Sequence, residues 1–231
     1  MDNFNDNAEV KVPDMSRTEK YLDRLLARYS GTFDIYVPYT IGGVEFPAYG
    51  YFFSHVEKFV LTRNTNMWSS DSYEHIFFLP KDMITVEDVA KMKQIMLDYV
   101  EPQLVRKGQE LPDQNHMYSY MSVILISDKA PDKSVIKAVK RLSFDKGYQM
   151  NMRGYSQIQI CLVSLEDEKV YHNFASSKKK KILKGIFKEV REGKIGFRAL
   201  CNKQGIEPLD RMHQSFNTKE RIIPLQYQSC L

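Results

Sequence analysis

The sequence predicts a mixed α/β (α+β) fold, in which an antiparallel meander is extended by helical crossovers into a mixed sheet flanked by helices. Two observations carry this. Residues 33–79 consist of aromatic and β-branched runs punctuated by Gly, Pro and Asn, the pattern of short neighbouring strands. From residue 85 onward, apolar stripes at helical spacing alternate with strongly apolar runs, as when helices cross between strands of one sheet. At 231 residues the chain is long for one domain and short for two, so one core is expected.

The first helix has a defined start. Ser16 and Glu19 form an S-x-x-E capping box, each side chain satisfying the other residue's backbone N–H. Tyr21, Leu22, Leu25, Leu26 and Tyr29 follow at helical spacing, and Gly31 supplies the stop. FDIYVPYTI, VEFPAYGYFF, EKFVLTR and SYEHIFFL then read as strands of a three- or four-stranded meander. Gly42-Gly43 suits a type I′ hairpin turn, where both central positions need positive φ. Pro38 and Pro47 cannot donate to a ladder and mark edges or bulges.

In the second half, Thr85 and Asp88 open a helix carrying Val89, Met92, Met96 and Val100, with Pro102 expected to end it. MSVILIS, within residues 118–127, is apolar on both faces and predicts a central strand covered on both sides. Pro131 suits a first helical position, and Val135, Ile136, Val139 and Leu142 form the next stripe, with Gly147 as its expected close. After Gly154, IQICLVSL and KVYHNF read as a strand pair joined by the acidic turn Glu166-Asp167-Glu168. The last clear helix starts near Ser177, with Ile182, Leu183, Ile186, Phe187 and Val190 on one side. The expected organisation is a disordered lead over 1–15, one domain over 16–192, and an irregular or short-helical extension over 193–231.

Composition narrows the setting. The chain is 43% hydrophobic and 27% charged, ordinary for a globular protein, and no apolar run approaches the roughly 20 residues of a spanning helix. MDNFNDNAEVKVPDM has neither a basic n-region nor an apolar h-region, so a cytoplasmic location is expected. Cys161, Cys201 and Cys230 are odd in number and lack CxxC spacing, which favours reduced thiols over disulfides or zinc. Fourteen Tyr and 13 Phe suit sheet packing, and Tyr also suits a half-wet surface or groove.

No GxGxxG, Walker A, GxSxG or HExxH motif is present, and no cofactor or resident metal is expected. The five histidines, His55, His75, His116, His172 and His213, show no metal-ligand spacing. The nearest approach to a catalytic set lies in the meander, where Asp34, Glu45, Glu57, Lys58 and Glu74, with His55 and His75, occupy neighbouring strands. Paired carboxylates there would bind a metal or exchange protons. Strand alternation opposes this for Glu57 and Lys58, which face opposite sides.

Charge placement is the sharpest physical feature. Lys178 to Lys203 contains ten Lys or Arg against two Glu, a local charge of +8 within a chain of +4. Such a segment can follow phosphates or an acidic protein surface, with Lys178, Lys179, Lys180, Lys181, Lys184, Lys188, Arg191 and Arg198 as the binding set. It also reads as the solvated face of an amphipathic helix.

YGYFFSHVEKFVL and SYEHIFFLP resemble segments of small uncharacterised bacterial proteins carrying a domain of unknown function. The order helix, three-stranded meander, crossover helix, strand also resembles the PD-(D/E)XK nuclease superfamily, which implies a restriction-endonuclease-like fold. That superfamily places an acidic residue on one core strand and a D/E-x-K triplet on the next, gathering divalent metal and the attacking water. Here such triplets include Glu9-Val10-Lys11, in the lead, and Asp167-Glu168-Lys169, in a late turn. The strand that should carry one reads HVEKFVL, so the order matches and the motif does not.

Two function classes follow. One is a non-catalytic binding or scaffold protein recognising nucleic acid or an acidic protein surface through its sheet and basic segment. The other is a degenerate metal-dependent nuclease or hydrolase built on the meander carboxylates. The missing triplet favours the first.

Overall fold

A computed structural model describes residues 15–58 and 68–204. The lead, but for Met15, and the final residues of the extension lie outside the described residues.

Helix α1 (Arg17–Tyr29) starts at the predicted capping box, with Glu19 accepting from the Ser16 N–H at 2.8 Å. Its stripe, Tyr21, Leu22, Leu25, Leu26 and Tyr29, is buried. Strand β1 (Asp34–Tyr36) pairs antiparallel with β4 (Ala48–Lys58), which pairs antiparallel with β5 (Trp68–Lys81). Between β1 and β4 the chain forms a separate hairpin of β2 (Tyr39–Ile41) and β3 (Val44–Phe46). Gly42 and Gly43 have φ of +57° and +70°, as the expected turn requires. Pro38 and Pro47 bracket the hairpin, and their missing N–H groups suit its separation from the main ladder. Of the predicted strand EKFVLTR, Glu57 and Lys58 are the last residues of β4, and the rest, residues 59–63, lies outside the described residues.

Helix α2 (Val86–Ile95) begins at a Thr85/Asp88 capping box. Pro102 does not end the helical run. A π-helical segment, Met96–Val105, contains it. The wider turn gives the pyrrolidine ring room that an α-helix lacks, and it tolerates the missing donor. The chain then crosses to β6 (His116–Ser127), parallel to β5. Helix α3 (Lys133–Arg141) leads to β7 (Asp145–Gly147) and β8 (Tyr155–Ser164), the latter parallel to β6. Gly147 therefore ends a strand rather than closing α3, which stops where Leu142 turns extended at φ −63°, ψ 117°. Strand β9 (Lys169–His172), a 3₁₀ turn (Phe174–Ser176), α4 (Lys179–Arg191) and α5 (Phe197–Gln204) complete the described chain.

The main sheet runs β1-β4-β5-β6-β8-β7, with β9 also on β8. Val123 to Ile126 lie in β6, between two parallel neighbours, and are buried as predicted. Alternate residues feed two apolar layers. Ile76, Phe78, Ile124, Ile126, Cys161 and Val163 pack with α1, α4 and α5. Phe77, Met121, Val123, Leu125, Ile158 and Ile160 pack with the hairpin, α2, the π-helix and α3. No described helix is long and apolar enough to cross a membrane.

Candidate functional site

The meander residues do not gather. Asp34 lies on β1 opposite Tyr51, Glu45 is exposed on the separate hairpin, and Lys58 is the last residue of β4. Glu57 is exposed and approaches His55 Nε2 at 3.2 Å. Glu74 is buried on the α1/α4 side of β5, so alternation sends neighbouring His75 to the π-helical side. Among the described residues, no group of three His, Cys, Asp or Glu is arranged to hold a metal.

Two polar regions do form, one on each face. On the π-helical side, His55 Nδ1 meets Asp71 Oδ1 at 2.5 Å, and this bond, then that to Glu57, raises the imidazole pKa. Beside Asp71, Tyr73 stacks on His116 at 5.9 Å and has Lys107 Nζ 5.8 Å from its ring centroid. His116 Nδ1 faces the Arg153 carbonyl at 2.9 Å. A carbonyl only accepts, so Nδ1 carries the proton and Nε2 accepts from Ser119 Oγ at 2.8 Å. Burial lowers the His116 pKa, but Ser119 is 0% exposed, so this pair is a satisfied interior network rather than an accessible nucleophile. His75 Nδ1 bonds Tyr49 Oη at 2.8 Å, and burial takes its pKa down to about 3. Glu101, turned inward just before Pro102, accepts from Arg106, Lys146 and Tyr148. Burial pushes its carboxyl up, and these donors more than offset that, leaving the pKa lowered.

On the opposite face, α1 and α4 cover only part of the sheet. Continuing the alternation from Ile124 and Cys161 places Tyr118, Tyr120 and Tyr155 on this side, and all three are half-buried. Tyr118 and Tyr120 stack at 4.6 Å, and Tyr155 lies 6.1 Å from Tyr118. Burial, then a hydrogen bond with Tyr155, raises the Tyr120 hydroxyl pKa. Glu74 lies within the field of Tyr120, where it accepts from Ser122 Oγ at 2.6 Å and pairs with Lys179 Nζ at 2.6 Å. Nearby, burial pushes the Cys161 thiol up to about 11. The first turn of α4 thus rests against the inner edge of the tyrosine floor.

The basic set divides. Lys179 turns inward, its side chain 13% exposed, while Lys178, Lys180, Lys181 and Lys184 face solvent with no carboxylate partner among the described residues. Lys188 lies 3.6 Å from Glu192, Arg191 pairs with Glu168, and Arg198 is exposed on α5. Phe187 and Phe197 are buried, as their apolar spacing suggests. Phe174 is 95% exposed, four residues before the lysine run. Its local sequence, HNFAS, reads as the tail of a strand, so only the structure separates it from a packing residue.

The inward turn of Lys179 had a signal in the sequence. Lys179, Leu183, Ile186 and Phe187 follow i, i+4, i+7, i+8 spacing, which places Lys179 on the buried stripe. The floor tyrosines had half a signal, since HMYSYMS alternates, whereas their meeting with Tyr155 depends on the β6–β8 register. A shallow hollow of about 210 Å³ between α1 and the end of α4 is lined by Lys20, Asp23, Arg24 and Lys194 among others. It is smaller than the ~300 Å³ lower range of ligand pockets.

Fold and sites together define a mixed α+β sheet protein with helices on both faces and one face left partly open. The chain belongs to the family described as a domain of unknown function (DUF8052), whose model matches residues 17–187. That span takes in the whole main sheet and both polar regions. No curated protein and no solved structure gave a match.

Proposed function

We propose that this protein is a non-catalytic module that binds single-stranded nucleic acid across the open tyrosine-bearing half of its sheet, with the start of α4 holding the phosphates. The observation that carries the reading is the adjacency of two unlike surfaces. Tyr118, Tyr120 and Tyr155 offer half-exposed rings, and α4 starts at their inner edge with Lys178, Lys180 and Lys181 in solvent. Base stacking on aromatic rings contributes about 1–3 kcal/mol per base and tolerates any sequence, while lysines supply the charge. Phe174 adds an unpacked ring beside the same lysines. Duplex would present phosphates but keep its bases stacked inside, so a single strand is the better fit. The two described cysteines are free and buried, which suits the reducing cytoplasm in which such a module would work.

The test compares labelled single-stranded and duplex oligonucleotides by fluorescence anisotropy. Single strands should bind more tightly, and Phe174→Ala and Tyr120→Ala should each weaken them about tenfold, the loss of one stacked base. Preference for duplex, or indifference to both substitutions, would count against the reading. Adding Mg²⁺ or Mn²⁺ separates it from a degenerate nuclease: the oligonucleotides should stay intact, and cleavage lost in Glu74→Gln would favour the hydrolytic alternative.

A further inference from the structure

Lys107 occupies a position where the protein supplies its own cation to an aromatic and acidic corner. It follows the π-helix at φ +52°, and Gly108 continues the turn at φ +76°. Its Nζ lies 5.8 Å from the Tyr73 ring centroid and 2.5 Å from Asp113 Oδ2. Asp71 and Asp113 act on the Tyr73 hydroxyl, which burial and these charges hold well above its ordinary pKa, and the Tyr51 hydroxyl feels Asp34, Asp113 and Asp71. We propose that this corner is a binding site for a linear aliphatic di- or polyamine, with the Lys107 ammonium as its resident stand-in.

Ring faces flanked by carboxylates suit an organic ammonium, which gains from the ring quadrupole and from ion pairing together. The side chains of Lys107 and Asp113 are 54% and 48% exposed, so the internal cation can swing into water and leave its place. Asp71 acts on the Tyr51 hydroxyl from the same face and is shared with His55, so a second ammonium further along the ligand would compete with that imidazole. One buried atom here lacks a partner among the described residues. His75 is 2% exposed, its ring is 5.5 Å from Tyr51, and its Nε2 has no hydrogen-bond partner among the described residues. Lys107 is the first charge acting on it, yet the lysine makes no bond to it. With the His75 proton on Nδ1 and donated to Tyr49, Nε2 offers a lone pair that an amine N–H would satisfy. The site lies on the opposite face from the tyrosine floor and does not depend on the nucleic-acid reading.

Calorimetric titration of the full chain with spermidine and putrescine tests this, with magnesium chloride at equal ionic strength as the charge control. Spermidine should bind saturably and resist displacement by magnesium. Lys107→Gln should tighten it about fivefold by removing the competitor, and Asp113→Asn should weaken it about fivefold, the scale of one exposed cation–π or ion-pair contact. Both substitutions fall on half-exposed side chains, and unchanged melting will show that the fold is intact. No saturable binding in either wild type or Lys107→Gln, affinities alike in all three proteins, or displacement by magnesium would overturn the proposal.

Discussion

Lys179 Nζ lies 2.6 Å from Glu74 Oε1, and the two side chains are 13% and 5% exposed. Within the run of four lysines only Lys179 shares the buried stripe of Leu183, Ile186 and Phe187, and the helix laid on the sheet brings it to Glu74. Removing one partner of a buried pair leaves the other charge unpaired in the interior, at a cost of about 3–5 kcal/mol. Substitutions at exposed neighbours stay within about 0.5 kcal/mol. Lys179→Ala should therefore lower the urea midpoint sharply, while Lys178→Ala and Lys180→Ala leave it nearly unchanged. Equal effects at the three positions would show that the pair does not hold α4 to the sheet.

The β2–β3 turn offers a paired comparison. Gly42 and Gly43 both have positive φ, but a Cβ at Gly42 would stand 2.6 Å from Tyr99 Cδ2, whereas one at Gly43 would meet nothing within 4 Å. Gly43→Ala should cost only the backbone penalty of about 1–2 kcal/mol. Gly42→Ala adds displacement of the Tyr99 ring, and should cost roughly 1 kcal/mol more, on the scale of a modest overpacking. Denaturation of the two variants side by side measures the difference. Equal losses would mean that Tyr99 does not pack on the turn.

Acid should weaken the fold through His75. Its folded pKa is about 3, against an ordinary value near 6.5, so between those values the unfolded chain holds a proton that the native chain does not. Stability contributed by the neutral ring is complete above about pH 6.5 and is lost as pH falls, reaching about 2 kcal/mol by pH 5. His116, lowered chiefly by burial, acts in the same direction. His55 acts oppositely, since its raised pKa gives stability below about 6.5 that is lost as pH rises through the raised value. His75→Gln should flatten the decline between pH 7 and pH 5, measured as denaturation midpoint against pH. A variant as acid-sensitive as wild type would place the titration elsewhere.

Local signals in the sequence were sufficient where one element carries its own instructions. The Ser16/Glu19 box, the Gly42-Gly43 turn and the doubly apolar Val123–Ile126 strand all read directly, and the structure agrees. The π-helix did not read, because Pro102 is an α-helix terminator by local rules and only the inward anchoring of Glu101 shows what the wider turn achieves. The polar regions were legible residue by residue but not as groups. Asp71 meets His55, and Tyr118 meets Tyr155, through registers between strands that the sequence leaves open. Glu57 and Glu74, adjacent in the meander on paper, end on opposite faces because they stand at odd and even positions of antiparallel partners.

The most direct test of the binding reading is the salt dependence of affinity for a single-stranded oligonucleotide. Log affinity falls by about 0.7 per log unit of salt for each phosphate contact on a single strand. Substituting Lys178, Lys180 and Lys181 with Ser, while keeping Lys179 on Glu74, removes three candidate contacts without opening the buried pair. The triple variant should melt as wild type does and show a slope shallower by about 2. Wild-type protein that fails to bind at low salt, or a variant with an unchanged slope, would contradict the assignment of this surface to nucleic acid.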